Sequence, residues 1–259
     1  MHIMKTKQNK AKNNKTKRNK KITNNIIGYI HVCQKGNWHK SYDMLMHSVK
    51  KYGLYDRASE IRIGIVNDEG RIIEDKRFED PKIKIIFIGK SKHYERPTLL
   101  HMKQYSYIDS PDTLYFYLHT KGIRHFGTKN EPTVVKWIKD MLYWNIQLWK
   151  KAVDILQKYD TYGCNTSKRN NHYSGNFWWT TAKHVQTLPN KITEDYTAPE
   201  DWITLNTHFS HYNKAYSENH VMGYCVNNCE PDFKEPGDEE YGKTFSTPEF
   251  TKHHFLTKY

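Results

Sequence analysis

The stretch Thr113-Leu114-Tyr115-Phe116-Tyr117-Leu118-His119-Thr120-Lys121-Gly122 constrains the chain most. A run of bulky β-formers bounded by Pro111 and Gly122 reads as a buried central strand that ends in a polar, glycine-terminated turn. Open α/β sheets take their ligands just beyond the carboxyl ends of such strands. His119, Thr120 and Lys121 are therefore expected together at a cleft, with Gly122 allowing the backbone to approach a ligand closely. The same residues would also suit an ordinary strand leaving into a solvated turn. A second dense cluster about fifty residues on, His172-Tyr173-Ser174-Gly175-Asn176-Phe177-Trp178-Trp179, favours the cleft.

The elements around this strand follow from apolar periodicity. Ile26 to Val32 reads as a first strand, and Gln34 to Asn37 as its turn. Trp38, Tyr42, Leu45, Val49 and Tyr52 recur at helical spacing, with Asn37 as a candidate N-cap and Gly53 as a stop. Ile61, Ile63 and Ile65 alternate with Arg62 and Gly64 in a second strand, Lys82 to Ile88 gives a third, and Pro97 to Tyr107 a short helix. Pro132 suits a first helical position, and Val135, Ile138, Leu142, Ile146, Trp149, Val153 and Leu156 mark one face of a single long helix to Tyr159. Short strands are expected at Tyr162 to Cys164 and Gly175 to Thr181, and short helices at Ala182 to Leu188 and from Pro199. Strands alternating with helices in the first half predict an α/β fold with a mostly parallel central sheet.

Charge divides the chain. Of the formal net charge of +13, residues 1–24 supply nine Lys/Arg and no acid, which leaves 13 − 9 = +4 for the rest. The basic signal thus belongs to a Lys/Asn-rich leader, expected to be a disordered tail, and not to the folded body. The expected organisation is a leader at 1–24, one domain at 25–230 and an irregular tail at 231–259. The leader has no apolar core of a secretory signal and the chain no long apolar run, so a cytoplasmic protein without a transmembrane segment is expected. Cys33, Cys164, Cys225 and Cys229 lack a metal-binding pattern and read as free thiols.

His119, Thr120 and Lys121 offer a base or metal ligand, a hydroxyl and a fixed positive charge, a set suited to an anionic ligand such as a diphosphate. Arg124 and His125 add positive character. There is no Gly-x4-Gly-Lys-Ser/Thr and no Gly-x-Gly-x-x-Gly, so kinase-type and dinucleotide readings lose their main support. In the second cluster His172 is a potential acid or base. Trp178 and Trp179 must point to opposite sides of a strand, one expected inward and the other toward the cleft, where its ring could stack on a sugar or base. Packing of both between sheet and helices is the alternative. Glu200 and Asp201 are paired acids that could do general-base work, or could simply be first-turn acids favoured by a helix dipole.

Tyr-Leu-His-Thr-Lys-Gly, then His-Tyr-Ser-Gly-Asn-Phe-Trp-Trp, then Pro-Glu-Asp-Trp resembles a family of glycosyltransferases of large DNA viruses and bacteria, and is more distantly similar to rhamnan-synthesis-type proteins. The resemblance spans about residues 26–205. It implies a GT-A-like (Rossmann-like) α/β/α sandwich and a nucleotide-sugar-dependent transferase of hexosyltransferase type. By that resemblance Tyr29, His31, Asn67 and Asp68 would lie beside the nucleotide, and His119, Thr120, Lys121 and Gly122 at the diphosphate. Ser174, Gly175, Asn176, Trp178 and Trp179 would line the acceptor and sugar pocket. Glu200 or Asp201 would deprotonate the acceptor hydroxyl, with His172 as the second candidate. Many GT-A enzymes hold a divalent metal through Asp-x-Asp where this chain has His119-Thr120-Lys121. Either Lys121 replaces the metal, or Mn or Mg binds through His119 and an acid elsewhere.

The expected partners are a nucleotide-sugar donor and a glycan or glycoprotein acceptor, in the host cytoplasm if the protein is viral. Two other classes fit parts of the sequence. One is a nucleic-acid-binding protein using the leader and exposed aromatics, although the charge lies outside the folded body and nucleic acid is not the expected partner. The other is a non-catalytic sugar-binding module.

Overall fold

Alternation along the strands sets the layering. In Leu114-Tyr115-Phe116-Tyr117-Leu118-His119, the aliphatic and Phe side chains fall on one side of the sheet and Tyr115, Tyr117 and His119 on the other. All six are buried, as a central strand covered on both faces requires. The computed structural model in which this is seen describes residues 24–71, 74–165, 172–205, 207–209 and 221–226. The expected leader, apart from Asn24, and the expected tail at 231–259 lie outside the described residues, as does Cys229.

The first half runs β1 (Ile26–Cys33), α1 (Trp38–Lys51), α2 (Leu54–Arg57), β2 (Glu60–Asn67), β3 (Ile83–Lys90), α3 (Arg96–Tyr105) and β4 (Leu114–His119). The second half adds α4 (Glu131–Leu142), α5 (Trp149–Ile155), β5 (Thr161–Cys164), β6 (Trp178–Thr181), α6 (Ala182–Val185), α7 (Ala198–Trp202), β7 (Thr207–Phe209) and β8 (Val221–Val226). The strands form one sheet in the order β3-β2-β1-β4-β6-β5-β8-β7. The pairs among β1, β2, β3 and β4 are parallel, as are β5 with β8 and β8 with β7, while β6 is antiparallel to both neighbours. The mixed α/β architecture with a mostly parallel sheet is the one the sequence predicts. From β1 the chain builds outward through β2 and β3, then returns to lay β4 on the other side of β1. That reversal makes the β1/β4 boundary the topological switch point, the place at the carboxyl ends of the strands where open α/β sheets take their ligands.

Helices cover both faces. α1, α4 and α5 pack with Ile30, Phe116, Leu118 and Trp179 in one apolar cluster. Leu99 and Met102 of α3, Ala182 and Val185 of α6 and Trp202 of α7 pack with Tyr29, Tyr115, Tyr117 and Trp178 in the other. Burial on this scale, at roughly 25 cal/mol for each Å² of apolar surface removed from water, is the main stabilising term.

Three local expectations need correction. The helix expected to run unbroken to Tyr159 is interrupted by a π turn at Tyr143–Gln147, where Leu148 N–H donates to the Tyr143 carbonyl at 3.1 Å. The extra residue turns the following segment by about 100° and lets both Trp144 and Trp149 bury. Asn37 does not cap α1 through its side chain; its amide instead donates to the Phe126 carbonyl at 3.1 Å. The strand expected from Gly175 begins only at Trp178, because Gly175 and Asn176 both have positive φ and form a turn. Among the described residues no helix is long and apolar enough to cross a membrane.

Candidate functional site

Parallel pairing places His31 level with His119 at the carboxyl ends of β1 and β4. Both rings are buried and lie on the α3 face of the sheet. His31 Nδ1 is hydrogen-bonded to Thr98 Oγ1 of α3 at 2.9 Å. His119 Nδ1 lies 3.1 Å from Oε1 of Glu95, the residue that opens α3, and His119 Nε2 lies 2.9 Å from the Gly175 carbonyl oxygen. Glu95 Oε2 also accepts from the Tyr117 hydroxyl at 2.7 Å and from Asn176 Nδ2 at 2.5 Å. Asn176 in turn accepts from Trp178 Nε1 at 2.7 Å, and the Trp178 ring stacks on Tyr117 at 4.7 Å.

This network joins α3, β4 and the turn before β6 around one carboxylate. Burial pushes the Glu95 carboxyl up, but the His119 charge and hydrogen bond, with His31 and the Tyr117 hydroxyl, outweigh it and hold it well below the usual range. Burial lowers His31 to about 4, against the pull of Glu95, so its ring is neutral at pH 7. Burial, then Glu95, raises the Tyr117 hydroxyl far above its ordinary value and keeps it a donor.

A second cluster lies beside the first. Lys121 Nζ is 4.5 Å above the Trp137 ring and 3.9 Å from Glu200 Oε1. Glu200 Oε2 is 3.6 Å from His172 Nε2, and His172 Nδ1 is hydrogen-bonded to Asp201 Oδ1 at 2.9 Å. A cation, a carboxylate, an imidazole and a second carboxylate therefore stand in line, with signs that allow a proton to be taken up or held. Two glycines make the geometry possible. Gly122 has φ 67°, and a Cβ there would come within 2.3 Å of Val134; Gly175 has φ 90°, and a Cβ there would meet the Met141 sulfur at 2.2 Å.

The other expected site residues are placed as follows. Thr120 fastens the strand ends: its N–H donates to the His31 carbonyl and its hydroxyl accepts from Cys33 N–H, each at 2.9 Å. Ser174 donates its backbone N–H to the Asn165 carbonyl at 3.0 Å and flanks His172. Asp68, beyond the end of β2, is exposed and pairs with Lys35 at 2.7 Å. Asn67 accepts from Gly70 N–H at 2.7 Å and shapes that turn. Tyr29 does not join the cluster. Its hydroxyl accepts from Arg62 at 2.6 Å, and Arg62 also donates to Asp109 at 2.7 Å, in a separate buried network. Trp178 and Trp179 are both 0% exposed, so neither ring faces a cleft. Pleating sends them to opposite faces, and helices cover both.

The site also contains residues the sequence reading did not single out. Glu95 is the centre of the first network, and Trp137 lies under Lys121. A signal for Glu95 was available: an acid directly before Arg96-Pro97 at a helix start, in a parallel crossover, falls at the carboxyl edge of the sheet. The His119 surroundings do not fit a metal, because its two ring nitrogens already meet Glu95 and Gly175 and a metal would have to displace one of them. Among the described residues no group of three or more His, Cys, Asp and Glu side chains is arranged to hold a metal ion. No protein-family model and no curated protein matches the chain.

Proposed function

We propose that the protein is a glycosyltransferase with a GT-A-like fold, moving a sugar from a nucleotide diphosphate to a hydroxyl of a glycan or glycoprotein. The observation that carries the reading is Glu200 standing between Lys121 at 3.9 Å and His172 at 3.6 Å, at the switch point of an α/β sheet. A fixed cation for a leaving diphosphate and a carboxylate for an incoming hydroxyl are then neighbours.

Lys121, assisted by the exposed Arg124, takes the diphosphate as a point charge. Glu200, released from Lys121 as the anion binds, accepts the proton of the acceptor hydroxyl. The acceptor oxygen bonds to the anomeric carbon as the bond from that carbon to the diphosphate oxygen breaks, and the electron pair leaves on the diphosphate. Asp201 orients His172 through Nδ1, so that Nε2 faces Glu200 across 3.6 Å. No step is routed through a metal, since Lys121 and Arg124 supply the positive charge.

The test is a thermal-shift panel with UDP, GDP, dTDP and CMP, each with and without manganese. Selective stabilisation by one diphosphate, lost in Lys121→Ala, is the expected result, because a ligand that binds only the folded state raises Tm by mass action. Stabilisation by none of the four, or an unaltered shift in Lys121→Ala, would overturn the assignment.

A further inference from the structure

Tyr94 and Tyr196 are exposed aromatics, 45% and 57% accessible, in an interior that otherwise hides most of its rings. They meet at right angles, with centroids 5.5 Å apart and an interplanar angle of 90°. Tyr94 immediately precedes Glu95, and Tyr196 lies four residues before Glu200. The two rings thus stand on the segments that deliver the acids of the site.

The pair is built, not incidental. Tyr94 has φ 49° with ψ −141°, a positive-φ backbone that a tyrosine rarely adopts and that costs on the order of a kcal/mol. Arg96, only 6% exposed, sits with its guanidinium 5.7 Å from the Tyr94 ring centre. The same guanidinium donates to the Thr193 and Asp195 carbonyls, each at 2.7 Å. One buried arginine therefore supports the first ring and clamps the loop that carries the second.

The charges around the corner choose the ligand. Burial raises the Tyr196 hydroxyl first; Glu200 and Glu95 raise it further, and Arg124 opposes them. Arg96 against the Tyr94 ring, Lys121 beside Glu200, and Arg124 offset the carboxylates of Glu95 and Glu200, so the charges at this point come close to cancelling and select no ion. They favour a neutral ligand whose hydroxyls donate to carboxylates and whose C–H face packs on an aromatic ring. A pyranose has both properties, and an L-shaped pair of rings offers one face to stack on and one edge to meet the rim.

We propose that Tyr94 and Tyr196 form the acceptor subsite, binding a neutral pyranose ring of the glycan beside Glu200. The assignment rests on the transferase reading for the word acceptor, but not for the sugar contact itself.

The experiment titrates the full chain with a panel of neutral disaccharides, followed by saturation-transfer NMR, and separately with the diphosphate panel. Tyr94→Ala and Tyr196→Ala are compared with Tyr94→Phe and Tyr196→Phe. The expected result is roughly tenfold weaker disaccharide binding in each Ala variant, near-normal binding in each Phe variant, and unchanged nucleotide affinity. If the nucleotides bind nowhere but the Ala variants still lose the sugar, the transferase reading fails and the sugar site stands. No disaccharide binding by the wild type, equal binding by the Ala variants, or loss of nucleotide affinity instead of sugar affinity would each overturn the subsite.

Discussion

Glu95 Oε1 lies 3.1 Å from His119 Nδ1, so the start of α3 and the carboxyl end of β4 are joined by a carboxylate–imidazole contact. The Glu95 side chain is 14% exposed and that of His119 9%, so water screens the contact poorly. His31 on β1, Tyr117 on β4 and Asn176 in the turn before β6 all act on the same carboxylate.

Asn176 gives the sharpest test of that centre. Its amide donates to Glu95 and its carbonyl oxygen accepts from Trp178. Asn176→Asp keeps the shape but sets a carboxylate against Glu95. At pH 7 it is expected to destabilise the fold by about 3 kcal/mol or more, and by more than Asn176→Ala. Urea unfolding of the two variants measures this. An Asp variant as stable as the Ala variant would mean that Glu95 is not held as a carboxylate by this turn.

The neutral state of His31 predicts a pH dependence. Burial, with a smaller contribution from His119 and against that of Glu95, lowers the ring from 6.5 to about 4 in the folded state. Between those values the unfolded chain binds a proton that the native chain does not. The stability contributed by the neutral ring is whole above pH 6.5 and is lost as the pH falls to about 4, a total of roughly 3 kcal/mol. His101, also lowered to about 4 by burial and then by Arg62, and His184, lowered by burial, add to the wild-type slope. The contribution of His31 is therefore the difference from His31→Gln. The gap in urea midpoint between wild type and variant should narrow from pH 7 to pH 4, and a constant gap would contradict the assignment. Glu95 acts in a lower window. Its depressed carboxyl contributes stability that is present above its ordinary value of 4.5 and is lost only below it.

Gly122 fixes where Lys121 stands. A Cβ at φ 67° is strained, and it would come within 2.3 Å of Val134 Cγ1. Gly122→Ala is expected to cost about 2–3 kcal/mol and to weaken diphosphate binding together with stability. Differential scanning calorimetry and the nucleotide panel read the two effects. A normal melting temperature would show that α4 can move aside.

Asp201 separates chemistry from folding. Its side chain is 48% exposed, and its assigned partner is His172. Asp201→Asn should leave Tm within a degree or two and lower kcat for sugar transfer by roughly a hundredfold or more, with little change in donor KM. Undiminished kcat would remove Asp201 and His172 from the mechanism. Glu200→Gln, measured alongside, should lose turnover while retaining nucleotide binding.

By itself the sequence determined the main strands and helices of the first half and the fold class, but not α2, β7, β8 or the break in the long helix. Periodicity in Ile26 to Val32, in Ile61 to Ile65 and in Trp38 to Tyr52 is local, so it survives without knowledge of what lies opposite. The same holds for the strand end at His119 to Gly122, where composition changes abruptly from apolar to polar. The tertiary structure decided what those residues touch. Tyr29 and His31 are two positions apart on one strand and share a face, yet one meets Arg62 and the other Thr98, because the register sets Tyr29 beside Arg62 on β2 and His31 beside Gly64, whose missing side chain leaves room for Thr98. Trp178 and Trp179 look like one aromatic patch in the chain, but pleating divides them between two cores. Glu95, far from His119 in sequence, becomes its partner only once α3 crosses the sheet. Which carboxylate is buried, and against which charge, depends on such long-range packing and on the desolvation it imposes, and no local pattern encodes either.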